Sequence, residues 1–215
     1  MKFIEFETNT GTKNMQIDSD LLDLAISNKL TEPIFRLYAW SPACVSLGRN
    51  QSDEFLDKEF LKSQNIDIVK RLTGGRALLH DKELTYSYIC PVTFLKNGES
   101  IVNSYKEISQ ILIDGFERLD IKLEFPENKK THTKFDYCMS ISTGADLSHE
   151  GKKLIGSAQF RKEGYILQHG SILFNYDKKL IEKIFNEKVD ENNLTCLNQI
   201  NSKINCNIIK NALVF

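Results

Sequence analysis

The sequence has no excess of charge of either sign and no long apolar run. Its 28 Lys and Arg residues face 29 Asp and Glu residues, for a formal net charge of −1. This balance argues against a protein that binds nucleic acid or a membrane surface through charge. No apolar run could span a bilayer, and the N-terminus carries acids where a signal peptide has its apolar core. We therefore expect a cytoplasmic protein with neither nucleic acid nor membrane as a partner.

The cysteines form no cluster. The 5 cysteines are widely spaced, with no C-x-x-C pair and no Cys/His set at zinc spacing, which predicts free thiols and no metal site. Cys44 and Cys90 lie in apolar, strand-like surroundings and are predicted to be core residues.

The length of 215 residues, with 41% hydrophobic and 27% charged residues, is typical of a globular protein. We expect a single domain over residues 1–215, and a monomer. Strand patterns arrive mostly in hairpins with helices between the groups, which predicts an α+β fold with a mixed, largely antiparallel sheet and flanking helices. The predicted helices cover Met15–Ser27, Glu54–Ser63 (capped by Ser52), Ser100–Leu119, Asp177–Phe185 and Asn201–Leu213, and a short strand is expected at Leu123–Phe125.

A double glycine with basic residues on both sides lies between two strand-like segments, in the run Arg71-Leu72-Thr73-Gly74-Gly75-Arg76-Ala77-Leu78-Leu79-His80. Glycine in a sheet loses packing and conformational entropy, so its use here is to let the backbone approach a ligand. The alternative is a plain hairpin turn, for which Gly-Gly is an ordinary signal.

A second glycine-and-polar run favours the ligand interpretation. Residues 151–159 read Gly-Lys-Lys-Leu-Ile-Gly-Ser-Ala-Gln, and residues 166–173 read Ile-Leu-Gln-His-Gly-Ser-Ile-Leu, with a turn predicted at Gly164. The small residues Gly156, Ser157 and Ala158 leave room beside their strand, where a strand built only for packing would carry branched or aromatic residues.

These motifs, in this order, resemble the lipoate–protein ligase and octanoyltransferase family. Supporting segments are Met15-Gln16-Ile17-Asp18 and Tyr38-Ala39-Trp40-Ser41-Pro42, and the likeness runs from about Asn14 to Phe174. The resemblance implies a catalytic domain similar to that of biotin and lipoate protein ligases. It also implies one of two chemistries: ATP-dependent attachment of free lipoate, or transfer of an octanoyl group from acyl carrier protein through an enzyme thioester.

The position of Cys138 upstream of Lys153 is similar to that in the cysteine-dependent octanoyltransferases, and the two are the predicted catalytic residues. A free thiol is mostly protonated at neutral pH, and a nearby ammonium group favours the thiolate. Covalent catalysis then splits the transfer into two acyl exchanges. The residues expected to bind the acyl group or substrate are Arg71, Gly74, Gly75, Arg76, Leu78, His80, Gly156, Ser157, Ala158, Gln168, His169 and Gly170, with His80 and His169 near the mouth of an acyl tunnel.

A transferase of this kind requires no cofactor and uses acyl carrier protein as its donor. Its expected acceptors are lipoyl-domain proteins, namely the glycine-cleavage H protein and the E2 subunits of oxo-acid dehydrogenases. The alternative is a ligase core that needs ATP and Mg. The presence of Arg49 directly after Gly48 resembles the ligases of the family and favours this alternative. A third possibility is a non-catalytic acyl-binding module on the same fold.

Overall fold

Two β-sheets carry the fold in the computed structural model, which describes residues 1–126, 137, 139 and 146–214. The strands are β1 (Lys2–Asn9), β2 (Ile34–Trp40), β3 (Cys44–Leu47), β4 (Asp67–Lys70), β5 (Leu78–His80), β6 (Glu83–Pro91), β7 (Leu147–His149), β8 (Lys152–Lys162) and β9 (Tyr165–Leu173). The helices are α1 (Gly11–Ser27), α2 (Lys58–Ser63), α3 (Ile101–Glu117), α4 (Lys178–Phe185), α5 (Leu197–Ile200) and α6 (Cys206–Leu213). The larger sheet has the strand order β1-β2-β6-β9-β8-β7, and the smaller has the order β4-β3-β5. Strand pairs β1–β2 and β3–β4 are parallel and the other named pairs are antiparallel, which confirms the predicted mixed, largely antiparallel α+β fold.

Different helices pack against the two faces of the large sheet. Helix α3 packs Ile108 and Leu112 against one face, in a cluster that includes Ile172 of β9. Helix α1 packs against the other face, where Leu22 meets Leu167 of β9. Because side chains alternate along a strand, the residues that follow Leu167 at every second position also lie on the α1 face.

A β-bulge in β8 changes which face its first residues occupy. Leu147 pairs with Ile155, but Ser148 pairs with Lys153, so Leu154 is an extra residue on β8. Leu154 and Ile155 both join the cluster under α3. Lys153 is therefore turned to the opposite face, the α1 face, in the way that bulges re-aim side chains near functional sites.

Several helix boundaries differ from the sequence prediction. Helix α1 begins at Gly11 because Thr10 caps it through the backbone N–H of Lys13. Helix α2 begins at Lys58, capped by Asp57, while the predicted cap Ser52 accepts a hydrogen bond from the Glu54 N–H in a local turn.

The structure of the C-terminal half of the chain differs from the sequence prediction in two places. The last helix begins at Cys206 rather than at residue 201, because the Asn205 side chain caps it. In the expected strand Leu123–Phe125, Glu124 forms an isolated bridge with Ser148, too short to be a strand. Ser100 and Asp177, which begin two of the predicted helices, are the N-caps of α3 and α4. The predicted hairpin turn at Gly164 is confirmed, with φ +79°.

Candidate active site

The arginine that opens the double-glycine run folds back on its own loop. The Arg71 guanidinium donates to the carbonyl oxygens of Gly74 at 2.9 Å and Arg76 at 2.7 Å, and to the carbonyl of Ser46 at 3.0 Å. Its Nε donates to the Thr73 hydroxyl at 3.1 Å. Buried at 7% exposure, Arg71 fixes the shape of the loop by holding carbonyl groups inward.

Glycine at two positions lets the loop pack as it does. Gly75 has φ +94°, a left-handed conformation that favours glycine. A Cβ on Gly48 would overlap the carbonyl oxygen of Gly75, so the two backbones are in direct contact. Gly74 is exposed, and a Cβ there would meet nothing within 4 Å. The loop therefore presents its open side at Gly74.

Thr73 connects this loop to the large sheet. Its hydroxyl lies 2.8 Å from Nε2 of His169 on β9, and Nδ1 of His169 lies 3.3 Å from Asp18 on α1. Asp18 also accepts from Tyr38 and pairs with Arg36 at 2.9 Å. His169 is 7% exposed, so the structure buries it in a polar network.

His80 occupies a second buried polar network, in the small sheet. Its Nε2 is 2.8 Å from the Ser46 hydroxyl and its Nδ1 is 3.3 Å from Glu83, and the ring stacks on Trp40 with centroids 3.9 Å apart. Burial lowers the pKa of His80, an effect that the neighbouring Glu83 carboxylate opposes. Because Ser46 also receives a hydrogen bond from Arg71, the two histidines belong to one connected set of polar groups.

The ammonium group of Lys153 is buried at the start of β8. Its Nζ lies 2.9 Å from Oδ2 of Asp146, and the two side chains are 1% and 2% exposed. The second carboxylate oxygen of Asp146 accepts from the backbone N–H of Ser157 at 3.2 Å. Asp146 thus ties the lysine ammonium to the small-residue segment of the same strand. A buried charge requires such a partner.

Gly156 makes the room in which the Lys153 side chain lies. A Cβ on Gly156 would lie 3.2 Å from Cε of Lys153, 3.5 Å from its Nζ and 2.9 Å from Sδ of Met139. Met139 therefore comes within reach of Lys153, and Tyr137 forms a bridge with Ala77, just after the double glycine. The predicted nucleophile Cys138 lies outside the described residues.

The next residues along the hairpin face α3. The Ser157 hydroxyl is 2.7 Å from the Tyr86 hydroxyl, which accepts from Nε2 of Gln168 at 2.9 Å. Burial raises the pKa of Tyr86 to about 12. The Tyr86 ring occupies the space that a side chain at Gly170 would need, since a Cβ there would lie 2.6 Å from Cε1 of Tyr86. Ser157, Gln168 and Gly170 thus lie on the opposite face of the sheet from His169.

The remaining predicted residues fall into place around these groups. Ala158 is the direct cross-strand partner of His169, so it lies on the α1 face with Gly156. Leu78 is buried in β5 opposite Ser46, and Arg76 is half-buried with its carbonyl held by Arg71. Lys153, Gly156, Ala158 and His169 share the α1 face, and the double-glycine loop joins them through Thr73.

Burial disfavours the thiolate form of all four described cysteines. Burial raises the pKa of Cys44 and of Cys90 to about 12, and also raises the pKa values of Cys196 and Cys206. Cys44 and Cys90 are core residues, as predicted. A thiol whose pKa is well above neutral pH supplies almost no thiolate.

The described part of the chain contains neither a metal-ligating cluster nor a membrane-spanning helix. Within residues 1–126, 137, 139 and 146–214, no group of three or more His, Cys, Asp or Glu side chains could hold a metal ion. The helices of those same ranges are all too short or too polar to cross a bilayer.

Several site residues were not assigned a role from the sequence. Asp146 stands immediately before β7 and has no pattern of its own that pairs it with Lys153. Thr73 and Asp18 lie inside the motifs that carry the family resemblance, and their location in those motifs is the sequence signal that could have identified them as site residues. Tyr86 looks like an ordinary strand aromatic, and only the fold brings its hydroxyl to Ser157.

The chain that carries this glycine loop, buried lysine and small-residue strand is similar to known proteins. Residues 10–214 match the family model described as the lipoyl protein ligase A/B catalytic domain. This chain belongs to that family. The octanoyltransferase LipM of Macrococcus caseolyticus is 39% identical over 183 residues, which cover 81% of this chain and 66% of that relative. The chain thus spans about two thirds of the length of such relatives.

Solved structures of the family share the fold. A lipoate-protein ligase A bound with ATP gives a TM-score of 0.75 at 20% identity, covering 99% of this chain and 82% of the other. The bipartite lipoate protein ligase of Thermoplasma acidophilum, determined in a study that includes its E2 lipoyl domain, gives 0.72 at 19% identity, covering 100% and 82%. The predicted lipoate ligase-like fold is confirmed.

Proposed function

We propose that this chain transfers an octanoyl group to a lysine of a lipoyl carrier domain, as a step of protein lipoylation in the cytoplasm. The observation that carries the proposal is the likeness to octanoyltransferases: LipM proteins of several bacteria are 35–40% identical to most of this chain. No cofactor is required for such a transfer, because a thioester is already an activated acyl group.

The donor is acyl carrier protein, and the nucleophile is the thiol of Cys138. Two features support this nucleophile. The four described cysteines have raised pKa values. The chain neighbours of Cys138, Tyr137 and Met139, lie beside the double-glycine loop and beside Gly156.

Lys153 has the second catalytic role. Its ammonium favours the thiolate form of Cys138 and then hydrogen-bonds the carbonyl oxygen of the acyl group. Asp146 keeps this ammonium in place at 2.9 Å. The carrier lysine amine attacks the Cys138 thioester in the second step, and the thiolate leaves. The acyl chain lies along Gly74, Gly75, Leu78 and the Gly156–Ala158 segment.

An ATP-dependent lipoate ligase is the second candidate. Arg49 favours it, since the exposed guanidinium after Gly48 lies over the Phe160 ring at 5.2 Å, beside the double-glycine loop. A single assay separates the candidates. Apo-lipoyl domain is incubated either with octanoyl-acyl carrier protein, or with free lipoate, ATP and Mg, and the mass of the domain is measured.

The transferase proposal expects an octanoyl adduct on the domain with the thioester donor and no nucleotide. Modification only with free lipoate and ATP would replace it by the ligase. Tight octanoate binding without modification in either arm would favour a non-catalytic module. The glycine-cleavage H protein and an E2 lipoyl domain, tested side by side, identify the preferred acceptor.

A further inference from the structure

Within residues 1–126, 137, 139 and 146–214, three buried serine hydroxyls have no hydrogen-bond partner. The hydroxyls of Ser87, Ser148 and Ser171 make no hydrogen bond, and these residues are 2%, 1% and 0% exposed. A buried hydroxyl without a hydrogen-bond partner lowers the stability of the folded protein. Each such hydroxyl calls for an explanation, and its position relative to Lys153 decides whether it can meet a bound molecule.

All three hydroxyls lie on the face of the large sheet that carries Lys153. Ser148 is directly opposite Lys153, Ser87 is opposite His169, and Ser171 is opposite Gly156. Directly paired residues of antiparallel strands place their side chains on the same face. The bulge at Leu154 brings Lys153 to this face as well.

Ser171 and Lys153 flank the same glycine. The Nζ atom of Lys153 lies 3.5 Å from the position that a Cβ on Gly156 would occupy. The Cβ of a direct cross-strand partner such as Ser171 lies about 4.5–5.5 Å from that position. The position that a Cβ on Gly156 would occupy is therefore close to the Met139 sulfur, to the Lys153 ammonium and to the side chain of Ser171, whose hydroxyl has a proton to donate.

We infer that Ser171 is a catalytic residue that, together with Lys153, binds the carbonyl oxygen of the acyl group as it is transferred. This inference rests on the proposed acyl transfer. A hydrogen bond to a developing oxyanion is stronger than one to a neutral carbonyl, so such a donor lowers the barrier more than it tightens substrate binding. The Ser171 hydroxyl has no partner among the residues that the structure describes, so no hydrogen bond to them has to break before it meets the oxygen.

The step balances as an addition followed by an elimination. The Cys138 thiol gives its proton to solvent, and the thiolate forms a bond to the acyl carbon while the carbonyl π electrons move to the oxygen. The oxyanion accepts hydrogen bonds from the Ser171 hydroxyl and the Lys153 ammonium. The carbonyl then re-forms as the bond to the donor sulfur breaks, and the departing carrier thiolate takes a proton from solvent.

The test is Ser171→Ala, with Ser87→Ala as its matched control. Both changes remove one buried, unpartnered hydroxyl from the same face, but Ser87 is opposite His169 rather than Gly156. We expect Ser171→Ala to lower kcat for octanoyl transfer by about 10²-fold, as loss of one oxyanion donor does elsewhere, with KM for the acyl donor unchanged. Its melting temperature should equal or exceed that of the wild type, since no hydrogen bond is lost. Ser87→Ala should keep the wild-type rate.

Two results would overturn the inference while leaving the transferase function intact. One is a Ser171→Ala enzyme with the wild-type rate. The other is a rate loss accompanied by a lower melting temperature or matched by Ser87→Ala, since either would mark a structural role. A wild-type protein that transfers no octanoyl group would instead overturn the proposed function, and this inference with it.

Discussion

The Lys153 ammonium and the Asp146 carboxylate form a buried ion pair at 2.9 Å, in which the second carboxylate oxygen is held by the backbone N–H of Ser157. The pair joins Asp146, the residue before β7, to the start of β8, so Asp146 is fixed against the small-residue strand at the site. The bulge at Leu154 and the missing side chain of Gly156 then decide where the ammonium points.

Removing one member of the Asp146–Lys153 ion pair should lower the free energy of unfolding more than removing both members does. Asp146→Ala leaves the Lys153 ammonium buried without its carboxylate, and we expect it to lower the free energy of unfolding by about 3–5 kcal/mol. The double variant Asp146→Ala/Lys153→Met removes the stranded charge and should recover part of that loss. Urea denaturation of the wild type, both single variants and the double variant gives the four free energies of unfolding that make up this double-mutant cycle. A double variant less stable than Asp146→Ala would show that the two groups do not act as a pair.

A methyl group at Gly156 should displace Lys153 without unfolding the protein. The added Cβ would lie 2.9 Å from Sδ of Met139 and 3.2 Å from Cε of Lys153, both in flexible side chains that can shift. We expect Gly156→Ala to lower the octanoyl transfer rate at least tenfold, because a shift of about 1 Å in a catalytic group can cost about 10²-fold in rate.

The matched control for that change is Gly164→Ala in the turn of the same hairpin. Gly164 has φ +79° and open space around it, so alanine there costs about 1–2 kcal/mol of backbone strain and touches no site residue. It should transfer octanoyl at the wild-type rate. Equal rates for Gly156→Ala and the wild type would contradict the placement of Lys153 over Gly156.

Two glycines near the loop should respond in opposite ways. Gly48→Ala drives a methyl group into the carbonyl of Gly75, where only the backbone can give way, so we expect its melting temperature to fall by several degrees. Gly74→Ala meets nothing within 4 Å and should keep the wild-type melting temperature. Calorimetry of the two variants checks this, and a smaller loss for Gly48→Ala than for Gly74→Ala would refute the loop geometry.

Acid should destabilise the fold partly through His80. Burial lowers the pKa of His80 below its ordinary value of 6.5, so the unfolded chain binds this proton more readily than the folded protein does. The free energy of unfolding should therefore fall as the pH drops below about 6.5, by up to about 1.4 kcal/mol per pH unit for this one group. His80→Gln removes the titration, so urea denaturation between about pH 5 and pH 7.5 should give a flatter profile. An unchanged profile would contradict this assignment.

The sequence shows where the glycines and small residues are, and those positions were enough to identify the double-glycine loop and the β8–β9 hairpin. It does not show which way Lys153 points. A regular alternation would place Lys153 on the same face as Ile155, and the bulge that reverses this depends on how β7 pairs with β8. Local patterns predict strands well and register poorly.

The partners of buried polar groups were likewise beyond the sequence. Arg71 looked like a ligand-binding charge, and the structure uses it to hold loop carbonyls. His80 and His169 were expected near a tunnel mouth, and both are buried in polar networks. Each of these contacts joins residues from separate elements, which no local spacing reveals.

The central claim is that Cys138 carries the acyl group with the help of Lys153. The most direct measurement is peptide mass spectrometry of the protein after brief incubation with octanoyl-acyl carrier protein, without ATP or acceptor. We predict an octanoyl thioester on Cys138, absent in Cys138→Ser and formed much more slowly in Lys153→Met, with Cys44 and Cys90 unmodified. No adduct on Cys138, or full transfer to a lipoyl domain by Cys138→Ser, would contradict the account.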